Sequence, residues 1–192
     1  WSHGDAEIST MQQFCEWFDL DHITPSAAQF NTEKLNWLNA HYIKEANIDV
    51  LADDIASRLK KLDVVAQAQP KLQDVLALYR ERANNLNQLA RDVAYFYTLP
   101  QVSAEDVAKH ITPEIMPAVQ SLSQNLAQIN WSAEAIHEAI NAVVTQYQLK
   151  FPKVAMPLRV MLTGIAQSPS IDQVMALLGQ KEALSRIQNY IR

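Results

Sequence analysis

Arginines beside short polar segments are the residues of this chain whose types and spacing could do chemistry. Arg80 and Arg82 lie two positions apart at a predicted junction between helices, and Arg159 lies in an otherwise apolar helix followed by a polar loop at 163–170. Arginine forks bind the edges of unstacked bases, and a helix N-terminus offers free N–H groups to phosphate. The pattern indicates recognition of single-stranded RNA, although a plain turn between helices explains the loop at least as well.

The sequence shows no arrangement of residues typical of catalysis or metal binding. Its five histidines are scattered, and no acidic residue or cysteine forms a motif with them. The single cysteine, Cys15, lies on an apolar stripe, which favours a small core residue. One cysteine cannot form an internal disulfide, which favours a reducing, cytoplasmic setting. Zinc and calcium spacings and a glycine-rich phosphate loop are missing. We therefore expect a binding module with no catalytic residue, metal or cofactor of its own.

The charge distribution bears on the RNA hypothesis more than the net charge does. The net charge is −5, which opposes binding to a polyanion, but acidic residues are concentrated in residues 1–68 and the remainder is almost balanced. No acidic residue lies between Glu138 and Asp172. The basic residues of that interval are Lys150, Lys153 and Arg159. Since a phosphate-binding surface needs a local positive field, the C-terminal half is the expected RNA surface.

Glycine usage and hydrophobic periodicity predict an all-α fold of roughly ten short helices. No glycine occurs between Gly4 and Gly164, although the tight turns of strands usually need one. Apolar residues recur at helical spacing in most segments. A helix at 153–162 is expected to kink or start late because it contains Pro157. The predicted N-cap residues are Asn31 or Thr32, Ser103, Ser132, and Ser168 or Ser170.

Composition suggests three parts along the chain. The polar stretch at 66–70 coincides with the change in charge balance, and Pro152 marks a second seam, so the predicted parts are 1–68, 69–151 and 152–192. The aromatic run at 95–97 could stack on bases, but we favour Phe96 in the core with Tyr95 and Tyr97 at its rim.

Several blocks of residues, in order along nearly all of the chain, resemble the C-terminal part of bacterial glutamyl-tRNA synthetases, which are class I enzymes. The most specific are residues 30–39, which read FNTEKLNWLN, and residues 153–164, which read KVAMPLRVMLTG. Residues 1–5, 81–82 and 168–169 are also similar to the family. The resemblance implies a helical stem-contact region followed by two helical anticodon-binding subdomains.

The resemblance also implies a parent enzyme that activates glutamate with ATP and magnesium and transfers it to tRNA. Neither an H-x-G-H nor a K-M-S-K signature occurs in this chain. We therefore expect that the catalytic domain lies upstream and that this chain alone does not aminoacylate. The expected partners are the anticodon arm of tRNA(Glu) and the upstream domain, with no membrane and a monomeric state. The alternative is a helical protein–protein interaction scaffold with no role in RNA binding.

Matching the family's motifs position by position gives a set of expected tRNA contacts. Arg159 matches an arginine on an anticodon base, and Arg82 matches the position where arginine favours cytosine as the third anticodon base. Arg80 is a competing candidate for the second role. The full expected set for the anticodon is Arg80, Arg82, Arg159, Thr163, Ser168, Pro169 and Ile171. Lys150 and Lys153 are the expected phosphate contacts.

Overall fold

The computed structural model describes residues 3–23 and 29–191, and these residues form eleven α-helices, three short 3₁₀ turns and no strand. The predicted all-α class is therefore confirmed. The helices are α1 (Met11–Trp17), α2 (Thr32–Glu45), α3 (Ile48–Lys60), α4 (Leu72–Tyr79), α5 (Leu86–Val93), α6 (Ala104–His110), α7 (Met116–Leu126), α8 (Ala133–Gln146), α9 (Phe151–Thr163), α10 (Ile171–Leu178) and α11 (Gln180–Gln188). The 3₁₀ turns are Leu20–His22, Arg80–Arg82 and Ala94–Phe96.

Side-chain caps begin several helices where the sequence predicts them. The Asn31 side chain accepts a hydrogen bond from the backbone N–H of Lys34 at 3.0 Å and begins α2. The Ser103 hydroxyl accepts from the Asp106 N–H at 3.0 Å, and Ser132 caps α8 in the same way. Each cap satisfies a backbone donor that has no partner inside its helix.

Helix α9 does not start late, and of the two expected effects of Pro157 the kink stays a prediction. It begins at Phe151 rather than late, and it continues through Pro157 to Thr163. Proline lacks the N–H that would bond the carbonyl four residues earlier. Val154 and Leu158 on either side of Pro157 are completely buried, so core packing on both turns holds the helix together across the proline.

The helices pack in two groups. In the first group α3 packs against α4 and α5, and α2 packs against the turn Arg80–Arg82. In the second group α8 packs against α7, α9 and α10, while α11 packs against α7, α9 and α10 and α6 packs against α9. The part boundaries at 68 and 151 stay predictions. Helix α3 lies before the first of them but packs against helices after it.

Residues 3–23 make few anchoring contacts and expose large apolar side chains. Met11 is 77% exposed, and Cys15 is exposed rather than buried, so its interpretation as a core residue is wrong. The Tyr42 hydroxyl donates to the Ser9 carbonyl at 2.9 Å and ties this segment to α2. No helix in the described part of the chain has the length and apolar character that crossing a membrane requires.

A buried arginine joins the two helix groups. Arg186 on α11 is 3% exposed and donates to the Leu162 carbonyl at 2.6 Å, within its own group. The same guanidinium donates across the junction to the Tyr95 carbonyl at 2.8 Å and the Thr98 carbonyl at 3.4 Å. Its Nε pairs with Glu182 one turn earlier at 2.7 Å. These bonds satisfy a charge that would be costly to bury without partners.

We expect Arg186→Met to lower the free energy of unfolding by about 2–5 kcal/mol, because buried carbonyls at Leu162 and Tyr95 lose their donor. Urea denaturation of the variant and the parent chain measures the difference. Lys181→Met is the matched control, since it removes a positive charge from an exposed position of the same helix. Equal losses in the two variants would mean that the buried bonds of Arg186 do not stabilise the fold.

Candidate nucleic-acid interface

Two arginines from different helix groups meet at one serine in the loop between α9 and α10. Arg82 donates through Nη1 to the Ser168 carbonyl at 3.2 Å. Arg159 donates through Nε to the Ser168 hydroxyl, also at 3.2 Å. That hydroxyl in turn donates to the Pro169 carbonyl at 3.0 Å. The structure thus brings together three of the residues predicted from the sequence, and Arg82, Arg159 and Ser168 are called the arginine site below.

Each arginine is positioned by buried neighbours in its own element. Arg82 ends the 3₁₀ turn between α4 and α5 and is followed by buried Ala83. Arg159 is half-buried on α9 between Leu158 and Val160, both completely buried. Because the flanking side chains are fixed in the core, both arginine stems leave the protein at defined points.

The electrostatics of the arginine site favour an anionic or acceptor-rich ligand. Burial lowers the pKa of Arg159, the nearby positive charge of Arg82 lowers it further, and the carboxylate of Asp172 opposes both effects. Among the described residues, each arginine uses one N–H in the hydrogen bonds to Ser168, while a guanidinium carries five. Two crowded cations with unused donors are stabilised by a ligand that brings oxygen acceptors or negative charge.

The end of α9 fixes the loop that carries Ser168. The Thr163 hydroxyl donates to the Arg159 carbonyl at 2.8 Å and accepts from the N–H of Ile165 at 3.3 Å. Gly164 follows with a φ of +78°, and a Cβ there would lie 2.8 Å from the Cβ of Pro100. Thr163 is buried and bonded inside the protein, so the structure places it as a support of the loop rather than at its surface.

Pro169 and Ile171 lie beneath the loop surface. Pro169 is buried, and Ile171 begins α10 with 1% of its surface exposed. In this conformation their side chains form the floor of the loop, whereas Ser168 is half-buried and Ser170 is exposed. The predicted contacts of Pro169 and Ile171 with an anticodon stay predictions, and Ile171 would need its backbone or a rearrangement to make one.

Arg80 points away from the arginine site. Its Nη1 donates to the carbonyl of Ala46 at the end of α2 at 3.3 Å. Glu81, its neighbour, pairs with Lys44 on α2 at 3.0 Å. The turn Arg80–Arg82 therefore sends one arginine to α2 and the other to Ser168, so Arg82 and not Arg80 belongs to the arginine site.

The two predicted phosphate contacts lie at the opposite end of α9. Lys150 is the N-cap residue of α9 and Lys153 lies in its first turn, and both are exposed. With a rise of about 1.5 Å per residue, Lys153 lies about 9 Å from Arg159 along the helix axis. Their contacts with phosphate stay predictions.

Asp172 is a residue of the site that sequence reasoning did not select. Its carboxylate accepts from the Ser170 hydroxyl and lies 3.5 Å from Nδ1 of His137 on α8. The available signal was that Asp172 ends the acid-free interval and occupies the first turn of α10, where a helix favours an acid. Residues 3–23 and 29–191 contain no group of acids, histidines or cysteines that could hold a metal ion.

The aromatic run at 95–97 belongs to the core. Tyr95 and Phe96 are buried and stacked with ring centroids 4.4 Å apart, so the predicted rim position of Tyr95 is wrong. The hydroxyls of Tyr79 and Tyr95 are 2.7 Å apart, and burial raises the pKa of Tyr79 to about 12. Tyr97 is half-buried and donates to the Pro70 carbonyl at 3.0 Å. The stacking surface suggested as an alternative does not form here.

We expect Gly164→Ala to lower the free energy of unfolding by about 1–3 kcal/mol, because its positive φ disfavours a side chain and the added Cβ collides with Pro100. Denaturation of Gly164→Ala, Pro100→Gly and the double variant measures the two causes separately. The cost of Gly164→Ala should be smaller in the Pro100→Gly background. Additive effects would contradict the collision with Pro100 and leave as causes the backbone conformation and the Gln101 carbonyl oxygen, which lies 3.0 Å from the added Cβ.

Comparisons with known proteins agree with the architecture. The model of the family described as "Anticodon binding domain" matches residues 51–191. The glutamate–tRNA ligase of Methylobacillus flagellatus is 59% identical over 192 residues, covering 100% of this chain and 41% of that protein. The corresponding ligase of Aromatoleum aromaticum is 50% identical, again over 41% of its length. This chain therefore spans about two fifths of its relatives.

A solved structure extends the agreement to three dimensions. The glutamate tRNA ligase from Elizabethkingia meningosepticum superposes with a TM-score of 0.84 at 27% sequence identity, covering 97% of this chain and 37% of that one. The resemblance to part of the bacterial glutamyl-tRNA synthetases is thereby confirmed. The family model matches well over half of the length of this chain, and the chain therefore belongs to the anticodon binding domain family.

Proposed function

We propose that this chain binds the anticodon arm of tRNA(Glu) and that the arginine site reads the bases of the anticodon. The observation that carries the proposal is the convergence of Arg82 and Arg159 on Ser168 from two different helix groups. Unpaired anticodon bases expose hydrogen-bonding edges that guanidinium forks bind with two bonds each. Membership of the anticodon binding domain family and relatives that are glutamate–tRNA ligases support the same ligand.

The ligand that fits the arginine site is single-stranded rather than duplex RNA. The sequence-reading edges of an RNA duplex lie in a deep, narrow groove that side chains do not reach. Arg82 and Arg159 converge on a short loop, and the half-buried Ser168 between them adds a hydroxyl that accepts from Arg159. A base placed against this loop would replace the bonds to Ser168 or share them. We therefore expect the base to contact Arg82, Arg159 and the loop between α9 and α10.

If this chain is part of a longer protein, as in its relatives, it must also contact the rest of that protein. Large apolar side chains are exposed in residues 3–23 and 29–45, including Met11, Leu20, Phe30 and Trp37. Several exposed apolar side chains in one part of a chain are typical of a surface that another part of a protein covers. We assign it to an upstream domain that ligates glutamate to tRNA with ATP and magnesium, because the relatives are ligases with more than twice the length of this chain.

The competing function is a helical scaffold for protein–protein contacts that does not bind RNA. Titration with RNA distinguishes this function from binding of the anticodon arm. We expect Arg159→Ala to weaken binding of a tRNA(Glu) anticodon stem-loop by about 5- to 150-fold, which corresponds to about 1–3 kcal/mol. Fluorescence anisotropy at low and high salt measures the affinities. The control is Arg91→Ala, which removes an exposed arginine bonded to Gln88 on α5. Equal affinities of Arg159→Ala and Arg91→Ala would assign Arg159 to structure.

The third anticodon base provides a separate test of Arg82. We expect the parent chain to prefer a stem-loop with cytosine at this base over one with guanine, and Arg82→Gln to reduce that preference by about 1–3 kcal/mol. The two stem-loops differ at that base alone, so the ratio of the two Kd values reports selectivity. Arg80→Gln is the control, because Arg80 bonds to Ala46 instead. A ratio that changes with Arg80→Gln and not with Arg82→Gln would reverse the assignment.

A further inference from the structure

A groove between the end of α6 and the beginning of α9 lies outside the arginine site. It has a volume of about 720 Å³, within the range of ~300–1,000 Å³ typical of sites for small ligands. Its apolar lining includes Ile115, Leu149, Met156 and Pro157. Helix α6 packs directly against α9, so the two walls of the groove are fixed relative to each other.

The rim of the groove is basic. Lys109 and His110 come from the last turn of α6, and Lys150 and Lys153 come from the beginning of α9. Glu114 is the acidic residue of the lining, and its carboxylate is engaged by hydrogen bonds from Thr112 and its own backbone, which lower its pKa. Three lysines against one acid give the groove a net positive charge at neutral pH.

Helix stability explains why a basic rim residue lies at the end of α6, but it does not explain the basic rim residues at the beginning of α9. Cations are favourable at the C-terminal end of a helix, so Lys109 stabilises α6. Lys150 and Lys153 lie at the N-terminal end of α9, where the helix dipole disfavours positive charge and where α9 has no acidic residue and no side-chain cap. Their placement costs helix stability, and an anion bound in the groove would offset that cost.

The groove and the arginine site lie along the same helix, α9. Lys153, Met156 and Arg159 follow one another every three residues, at steps of about 4.5 Å along the helix axis and about 60° around it, so Lys153 and Arg159 lie about 9 Å and about 120° apart. Lys153 and Met156 line the groove, and Arg159, in the arginine site, lies within one turn of Met156. A single RNA strand that winds partly around α9 would therefore pass from the arginine site to the groove by way of Met156.

We propose that this groove binds a nucleotide of single-stranded RNA adjacent to the bases at the arginine site. Its base lies on the apolar lining around Met156 and Pro157, and its phosphate and the next one lie against Lys109, Lys150 and Lys153. Apolar surface with a basic rim is the arrangement by which proteins bind single strands without reading their sequence. The inference rests on the proposed function, because it takes the same RNA strand as the ligand.

Removing the rim charges tests the proposal against a variant with the same change in net charge. The rim variant carries Lys109→Ala, Lys150→Ala and Lys153→Ala. The control variant carries Lys60→Ala, Lys61→Ala and Lys181→Ala, three exposed lysines that do not line the groove. The probe is a fluorescent anticodon stem-loop of tRNA(Glu), titrated with the 192-residue chain from low to high salt.

We expect the rim variant to bind about tenfold or more weakly than the control variant. The slope of log Kd against log salt should also become shallower by roughly 1–2, since a single strand contributes about 0.7 for each phosphate contact. A further readout is the methyl resonance of Met156 in ¹³C-methionine-labelled chain. Met156 should shift on addition of RNA, whereas exposed Met11 on α1 and buried Met175 on α10 should not.

Three outcomes would overturn the inference. If the rim and control variants bind equally while Arg159→Ala still weakens binding, the groove inference is wrong and the proposed function stands. If RNA binds but leaves the Met156 resonance unmoved, the groove is not an RNA site, and a polypeptide becomes its expected occupant. If the parent chain does not bind the stem-loop at any salt concentration, the groove inference and the proposed function fall together.

Discussion

The buried guanidinium of Arg186 is the interaction on which the relation between the two helix groups depends. It donates to the Leu162 carbonyl within the second group and to the Tyr95 and Thr98 carbonyls at the end of the first. Carbonyls at the ends of helical segments have no partner within the helix and need a donor when they are buried. One planar side chain supplies several donors in fixed directions, so it sets an orientation that apolar contacts alone would leave free.

The arginine site is a consequence of this junction. Arg82 belongs to the first group, while Arg159 and Ser168 belong to the second, so their meeting requires the two groups to keep one relative position. Gly164 provides another point of contact, because the absence of a side chain lets the end of α9 approach the segment around Pro100. Arg186 and Gly164 both contact the segment 95–101, Arg186 at Tyr95 and Thr98 and Gly164 at Pro100. The geometry that presents two guanidinium groups to a ligand is therefore determined by buried contacts behind it.

The sequence predicted those features that depend on local chemistry. Caps such as Asn31 and Ser103 depend on a side chain and a backbone N–H a few residues away, and their positions were correct. The link between Arg159 and Ser168 spans nine residues along one helix and its loop, which is why a motif could indicate it. Chemistry alone did not distinguish Arg80 from Arg82, since the direction of each side chain depends on α2 and α10 packing from distant parts of the chain.

The incorrect predictions share a cause, which is that tertiary packing decides burial. Cys15 lies on an apolar stripe, but Met11, Phe14 and Cys15 on that stripe are all exposed in the described structure. Tyr95 was placed at a rim because tyrosine is amphipathic, yet the hydroxyl of Tyr79 satisfies it inside the core. A late start was one of the two expected effects of Pro157, but α9 begins at Phe151 and packs against α6, α8, α10 and α11, whose contacts outweigh one missing hydrogen bond. None of these neighbours can be identified from spacing along the chain.

The net charge of −5 and an RNA ligand are compatible because the relevant field is local. Arg82 and Arg159 are close enough for the charge of one to lower the pKa of the other, and Asp172 offsets part of that repulsion from within the fold. A second carboxylate at the site would neutralise the pair, and without Asp172 the repulsion would disfavour the arrangement of the arginines in the absence of ligand. One acid beside two arginines keeps the site assembled and still positive, as the proposed exchange of its bonds to Ser168 for bonds to a base requires.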